Sequence, residues 1–166
     1  RNDAKLIGIY RKTSYPSGPK PDQIVLTWAN DPKTSQTIQW RTDKTVNKSQ
    51  LQWIKKNDFN RFQPGKPKII NAVTVEMLNT NYVNDPKIHR HTVNLTGLEP
   101  NTSYLYSVGL KSANSWSELS EFQTAPNKTE PFSFVYMGDA QNGLDGWRSM
   151  ITGAFRKRPN SAFYIM

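Results

Sequence analysis

Phe132-Ser133-Phe134-Val135-Tyr136-Met137 is a nearly continuous apolar run that ends on Gly138-Asp139, followed by Ala140-Gln141-Asn142-Gly143. An aspartate at the carboxyl end of a buried parallel strand, ahead of a helix, stands where α/β folds place catalytic groups and ligands for hard metals. Taken alone, a Gly-Asp pair after a strand is common and serves a turn as readily as a metal. A second candidate is the pair His89 and His91, which flank Arg90 and point the same way on a strand, a spacing that can chelate a metal. They have no carboxylate close by in sequence, and His91 continues an inward apolar alternation, so they are read as core histidines and not as ligands. The third candidate is electrostatic. Lys44, Lys48, Lys55, Lys56, Arg61, Lys66 and Lys68 face only Asp58 between positions 44 and 68. Such a stretch attracts an anionic polymer, or else forms a solvated edge that keeps a strand from pairing with neighbours. Trp53 and two Phe are the rings among these charges, whereas a single-strand binder interleaves stacking aromatics more regularly, which favours the edge reading.

The elements that must position these residues follow two different patterns. From about Pro21 to Thr124, short alternating segments are separated by turn clusters, as in a β-sandwich. Ile24, Leu26 and Trp28 alternate, then Ile38 and Trp40, Leu51 and Trp53, Val73, Val75 and Met77, His91, Val93 and Leu95, Tyr104, Tyr106 and Val108, and finally Leu119 to Phe122. That spacing predicts about seven strands, with turns at Asp31-Pro32, Asp85-Pro86 and Glu99-Pro100-Asn101. The stretch between Asn57 and Pro86 is too long for a hairpin connection and is expected to hold an extra strand pair around Ile69 to Leu78. After the linker Pro126 to Pro131 the grammar changes. Trp147, Met150, Ile151, Ala154 and Phe155 fall on one helical stripe, with Asp145 near its start and Arg156, Lys157 and Arg158 near its end, as the helix dipole prefers. Ala162 to Met166 is a second apolar strand, so residues 132–166 read as a β-α-β unit with parallel strands.

Two features are similar to fibronectin type III sandwiches. Leu98-Glu99-Pro100-Asn101-Thr102-Ser103-Tyr104 resembles the segment before that family's penultimate strand, which makes Tyr104 a structural tyrosine bonded back to nearby backbone. Trp28, at the end of Ile24-Val25-Leu26-Thr27-Trp28, resembles the family's core tryptophan. From about Pro21 onward, "HRHTVNLTGLEPNTSYLYSVG", "WSELSEFQTAP" and "FVYMGDAQNG" together resemble the purple acid phosphatases and their relatives among the calcineurin-like metallophosphoesterases. That resemblance implies a mainly β chain: a fibronectin type III-like sandwich over residues 1–125, a linker at 126–131, and the first β-α-β unit of an incomplete α/β metallophosphoesterase domain at 132–166. It implies hydrolysis of phosphate esters by metal-bound hydroxide between two metal ions, with Asp139 as one metal ligand. Many members of the wider superfamily carry a histidine two residues after that aspartate. Gln141 stands there in this chain, as the purple acid phosphatases also lack that histidine.

The 166 residues carry 22 basic and 13 acidic side chains, a net charge of +9, and 5 of the basic and 3 of the acidic residues follow Ala125. The excess therefore sits on the sandwich. There is no cysteine, which excludes a disulfide framework and a thiolate metal site. No apolar run is long enough to span a membrane. An extracellular, cell-surface or periplasmic location is expected, with any secretion signal already removed. Four Asn-x-Ser/Thr sequons begin at Asn47, Asn94, Asn101 and Asn127 and carry little weight at this Asn, Ser and Thr content. Since two metals need several ligands and Asp139 is one, the chain by itself is expected to be inactive and to hold no metal. The open edges of a lone β-α-β unit suit self-association. Non-catalytic roles, as a binding module for anionic polymers or as a spacer, stand beside the catalytic one.

Overall fold

The computed structural model describes residues 11–62, 65–78, 80–138 and 143–165, and separates into two compact units, Arg1–Asn127 and Lys128–Met166. The described residues of the first unit form eight strands: β1 (Asp22–Thr27), β2 (Gln36–Asp43), β3 (Gln50–Lys55), β4 (Lys68–Asn71), β5 (Val73–Leu78), β6 (Lys87–Leu95), β7 (Ser103–Gly109) and β8 (Ser120–Gln123). They form two four-stranded antiparallel sheets, ordered β1-β2-β6-β5 and β4-β3-β7-β8. Lettered in chain order with β4 as C′, these are the ABED and C′CFG sheets of the immunoglobulin-like sandwich.

Period-two alternation on the central strands builds the core. On β6, His89, His91, Val93 and Leu95 are buried between less buried neighbours. They meet Ile38 and Trp40 of β2, Leu51 of β3, Tyr104, Tyr106 and Val108 of β7, Phe122 of β8, and Leu98. Burying each large apolar side chain contributes about 1.5–3 kcal/mol, so these ten hydrophobic positions dominate the favourable side of folding.

Polar groups inside this core are matched. The Trp40 indole Nε1 donates to Ser49 Oγ at 3.0 Å, and that hydroxyl donates to the Gly109 carbonyl at 2.9 Å, joining the first sheet to the second. The Ser49 carbonyl also accepts from Ala72 N at 2.9 Å. Gly109 is required where it stands, because a Cβ there would lie 2.3 Å from the Ser115 carbonyl oxygen. At the corner before β7, the Tyr104 hydroxyl accepts the Glu99 backbone N–H at 2.9 Å. Its ring packs edge-on to Trp53 and stacks on Phe122. Thr124 Oγ1 donates to the Glu99 carbonyl at 2.6 Å, so both backbone groups of Glu99 are held.

Arg41 faces outward from β2, yet it is 6% exposed because the arm before β1 and the β5–β6 connection cover it. Its Nε and Nη2 donate to the two Asp22 carboxylate oxygens at 2.8 and 2.6 Å, Nη2 also to the Tyr15 carbonyl at 3.2 Å, and Nη1 reaches Asp85 at 3.5 Å. The hydrogen bond to Asp22 raises the Arg41 pKa against the opposing effect of burial. Asp85 in turn accepts from Ser17 N and Oγ at 2.9 and 2.6 Å. Removing one partner of such a buried network leaves an uncompensated charge, a far larger loss than for an exposed ion pair.

The structure corrects three expectations. Trp28 is 45% exposed and not a core residue. The β1–β2 ladder ends at Thr27 opposite Thr37, so Trp28 runs past the sheet, and Trp40 on the central strand β2 fills the core instead. The extra strands around Ile69 to Leu78 exist, but they are not a pair: β4 bonds to β3 in one sheet and β5 to β6 in the other, with Ala72 alone between them. Third, Val73, Val75 and Met77 face solvent, Val73 being 69% exposed, because Thr74 takes the inward position to bond His91.

Two stability measurements check this account. Tyr104→Phe strands the Glu99 N–H and should lower the unfolding free energy by about 1–2 kcal/mol; an unchanged denaturation midpoint would contradict the corner's role. Ser49→Ala leaves the Trp40 indole N–H unpaired and removes one donor from the Gly109 carbonyl, and should cost about 1–3 kcal/mol in chemical denaturation. A loss below about 0.5 kcal/mol, the size of an ordinary surface substitution, would show that the Ser49 hydroxyl is not the link between the sheets.

Candidate metal centre and basic surface

Within the second unit, β9 (Val135–Tyr136) and β10 (Tyr164–Ile165) pair in parallel, with Tyr164 opposite Val135 and Ile165 opposite Tyr136. Backbone bonds extend the ladder: Ala162 N to Ser133 O at 2.8 Å, Val135 N to Phe163 O at 3.1 Å, and Met137 N to Ile165 O at 2.9 Å. Helix α1 (Leu144–Lys157) joins the two strands. Gly143 provides its N-cap with φ +67°, a left-handed conformation that glycine adopts without a Cβ penalty. Asp145 lies in its first turn and Arg156 and Lys157 in its last, each at the favourable end of the dipole. Trp147, Ile151 and Ala154 are half-buried, whereas Met150 and Phe155 of the same expected stripe are exposed. Phe134 stacks on Phe163 with centroids 5.1 Å apart, and Phe132, Phe134, Tyr136 and Ile165 remain exposed.

Asp139 and Gln141 fall between the end of β9 and the start of α1, outside the described residues. Among the described residues, no group of three or more His, Asp or Glu side chains converges in a way that would hold a metal ion.

The two histidines occupy different chemistry. His91 is 0% exposed, and its ring nitrogens bond two hydroxyls, Nε2 to Thr42 Oγ1 and Nδ1 to Thr74 Oγ1, both at 2.8 Å. Both coordinating positions are thereby used. Its ring stacks on Trp40 with centroids 5.6 Å apart. Burial, and secondarily the neighbouring His89, push its pKa down to about 4. His89 Nδ1 donates to the Val46 carbonyl at 2.9 Å, and its Nε2 lies 3.9 Å from Glu76. Alternation on β6 is the signal that places both rings inward. The threonines come from β2 and β5, strands distant in sequence, and nothing local marks them as partners.

The basic stretch is distributed over the two ends of β3. Lys44 and Lys48 lie in the β2–β3 connection at the start of β3, while Lys55, Lys56, Arg61, Lys66 and Lys68 cluster at its other end, and a six-residue strand spans about 17 Å. In the second group Lys55 pairs with Glu99, and Lys56 with Glu121 at 2.8 Å. Lys68 Nζ sits 4.8 Å from the Trp53 ring centroid. Lys44, Lys48, Arg61 and Lys66 are exposed.

Comparison with known proteins places the sandwich. The family model described as purple acid phosphatase, N-terminal domain, matches residues 21–124, from one residue before β1 to one residue after β8. No curated protein matches the chain. Among solved structures, a fibronectin type III domain of human contactin 1 is 17% identical, with a TM-score of 0.44 and coverage of 74% of this chain and 90% of that one. The FN5 domain of Drosophila Lar is 18% identical, with a TM-score of 0.41 and coverage of 67% and 99%. A computationally redesigned β-sandwich protein is 19% identical, with a TM-score of 0.42 and coverage of 66% and 97%. With the family model covering the whole of the sandwich, the chain belongs to the purple acid phosphatase N-terminal domain family.

Proposed function

We propose that this chain is the N-terminal part of an extracellular metal-dependent phosphoesterase that hydrolyses phosphate esters, and that Asp139 supplies one of its metal ligands. The family match over residues 21–124 carries the proposal. The Gly138-Asp139 pair after a parallel strand and ahead of α1 supports it, because that is where α/β folds set hard-metal ligands. A metal pair would supply a nucleophilic hydroxide and polarise the phosphoryl oxygens. The described residues do not fit such a pair: they offer no converging donor set, so no hydrolytic step is assigned to them.

The sandwich contributes a folded unit, not reactive groups. Its most buried titratable side chains are committed to structure, Arg41 to Asp22 and Asp85, and His91 to two threonine hydroxyls. On this proposal the donors for a second metal and for the phosphate come from outside the described residues.

Two tests follow. The 166-residue chain, purified and supplied with iron, manganese or zinc, should not turn over an aryl phosphate; chelator-sensitive turnover would overturn the expectation. In a longer protein that contains this chain and hydrolyses phosphate esters, Asp139→Asn should lower turnover by roughly 10²–10⁴-fold and reduce metal content, while the unfolding of the sandwich stays unchanged. Wild-type metal content and turnover in that variant would remove Asp139 from the site.

A further inference from the structure

We infer that His91 is an acid-sensitive latch that holds the edge strand β5 onto the sandwich at neutral pH and releases it in mild acid. The geometry carries this. His91 lies on β6 and bonds Thr42 of the interior strand β2 on one side and Thr74 of the edge strand β5 on the other, both at 2.8 Å. A neutral imidazole presents one donor and one acceptor, and a hydroxyl satisfies either. An imidazolium in the same place carries a full charge into a site with no solvent contact.

The groups around the ring do not neutralise that charge. From β2 the ring meets Thr42 and the Trp40 indole, and from β5 it meets Thr74. On its own strand the ionisable side chain on the same face is His89, whose ring centroid lies 6.3 Å away, while Arg90 takes the opposite face. The local carboxylate is Glu76 of β5, but it faces His89 Nε2 at 3.9 Å and Lys87 at 3.4 Å, not His91. Burial accordingly depresses the pKa of His91, and an opened site that hydrates the ring binds the proton far better.

Of the two bonded strands, β5 is the one that yields. Among the described residues it pairs on one side only, and every residue from Val73 to Leu78 except Thr74 is exposed. Beyond its ladder to β6, its ties to buried side chains among the described residues are the Thr74–His91 hydrogen bond and the approach of Glu76 to His89, whereas β2 is flanked by β1 and β6 and carries Trp40.

The sign is that of a histidine buried in its neutral form. With a folded value of about 4 and an open value near 6.5, opening is unaffected above both, is promoted as pH falls between them, and levels off below about 4. Between pH 7.5 and 5.0 the open population of β5 should rise roughly 30-fold. Amide hydrogen exchange on the 166-residue chain, corrected for intrinsic rates, reads this directly. The Val73–Leu78 amides should lose protection by that factor while those of β3 and β7 keep theirs. Unchanged β5 protection, or an equal loss in β3 and β7, would overturn the latch. His91→Gln keeps a hydrogen-bonding side chain without the titration and should abolish the acid effect; if the effect survives, another group is responsible and the inference is wrong. Should that variant fail to fold, the His91 ring resonances of the unmodified chain decide: a titration midpoint near 6.5 refutes the latch and one near 4 supports it.

Discussion

Ser49 Oγ lies between the two sheets with a hydrogen bond on each side, and the sandwich is organised around that fact. A tryptophan is the largest side chain available to fill a core, but its indole N–H must find an acceptor once buried. Trp40 finds one in Ser49, and Ser49 passes its own proton to the Gly109 carbonyl at the end of β7. The acceptor is thus fixed by two backbone segments of the opposite sheet, which sets how Trp40 and its neighbours Ile38 and Val93 lie against Leu51 and Val108. A hydrophobic interior alone fixes composition and volume; directional bonds inside it select one arrangement from many of similar packing quality. The exposed sequon that ends at Ser49 gains an explanation independent of glycosylation, since its serine is buried and committed to the core.

The buried ionisable side chains Arg41 and His91 sit in polar clusters of opposite character. Arg41 is permanently charged and compensated by two carboxylates. His91 is neutral, uncharged in its surroundings, and tied by hydroxyls that neither add nor cancel charge. The first fastens the arm before β1 to the body of the domain under ordinary conditions. The second concentrates its response on a single edge strand. Neither leaves a free reactive group, which is why the catalytic chemistry proposed for the protein is assigned outside the sandwich.

Much of this was legible in the residues. Alternation located the strands, and the Leu98 to Tyr104 segment marked the corner that Tyr104 closes with the Glu99 amide. Alternation alone does not say which parity faces inward on an edge strand, and there it misled: Val73, Val75 and Met77 look like core residues, and the polar Thr74 takes the inner face because a buried imidazole needs it. Trp28 misled for a related reason, since a strand's last paired residue is set by its partner and not by its own composition. The seven basic residues fall within 25 positions of sequence but lie toward the two ends of β3. The arrangement around Arg41 could not be read at all, because Asp22, Asp85 and Tyr15 come from three separate stretches. For Asp139 the sequence supplies a position between β9 and α1, and geometry adds the parallel pairing of the flanking strands.

The single-residue passage at Ala72 gives the domain a parity lock. Because β4 belongs to one sheet and β5 to the other, Asn71-Ala72-Val73 carries the chain across with no slack, and the Ala72 amide is itself bonded to Ser49. Side chains on a strand alternate faces, so one residue added or deleted here, with the ladders on either side kept in place, would turn β5 over: three apolar side chains would rotate into the histidine site and Thr74 would rotate out of it. Among homologues, length variation should therefore accumulate in the connection before β4 and in the one after β5, and be absent between them.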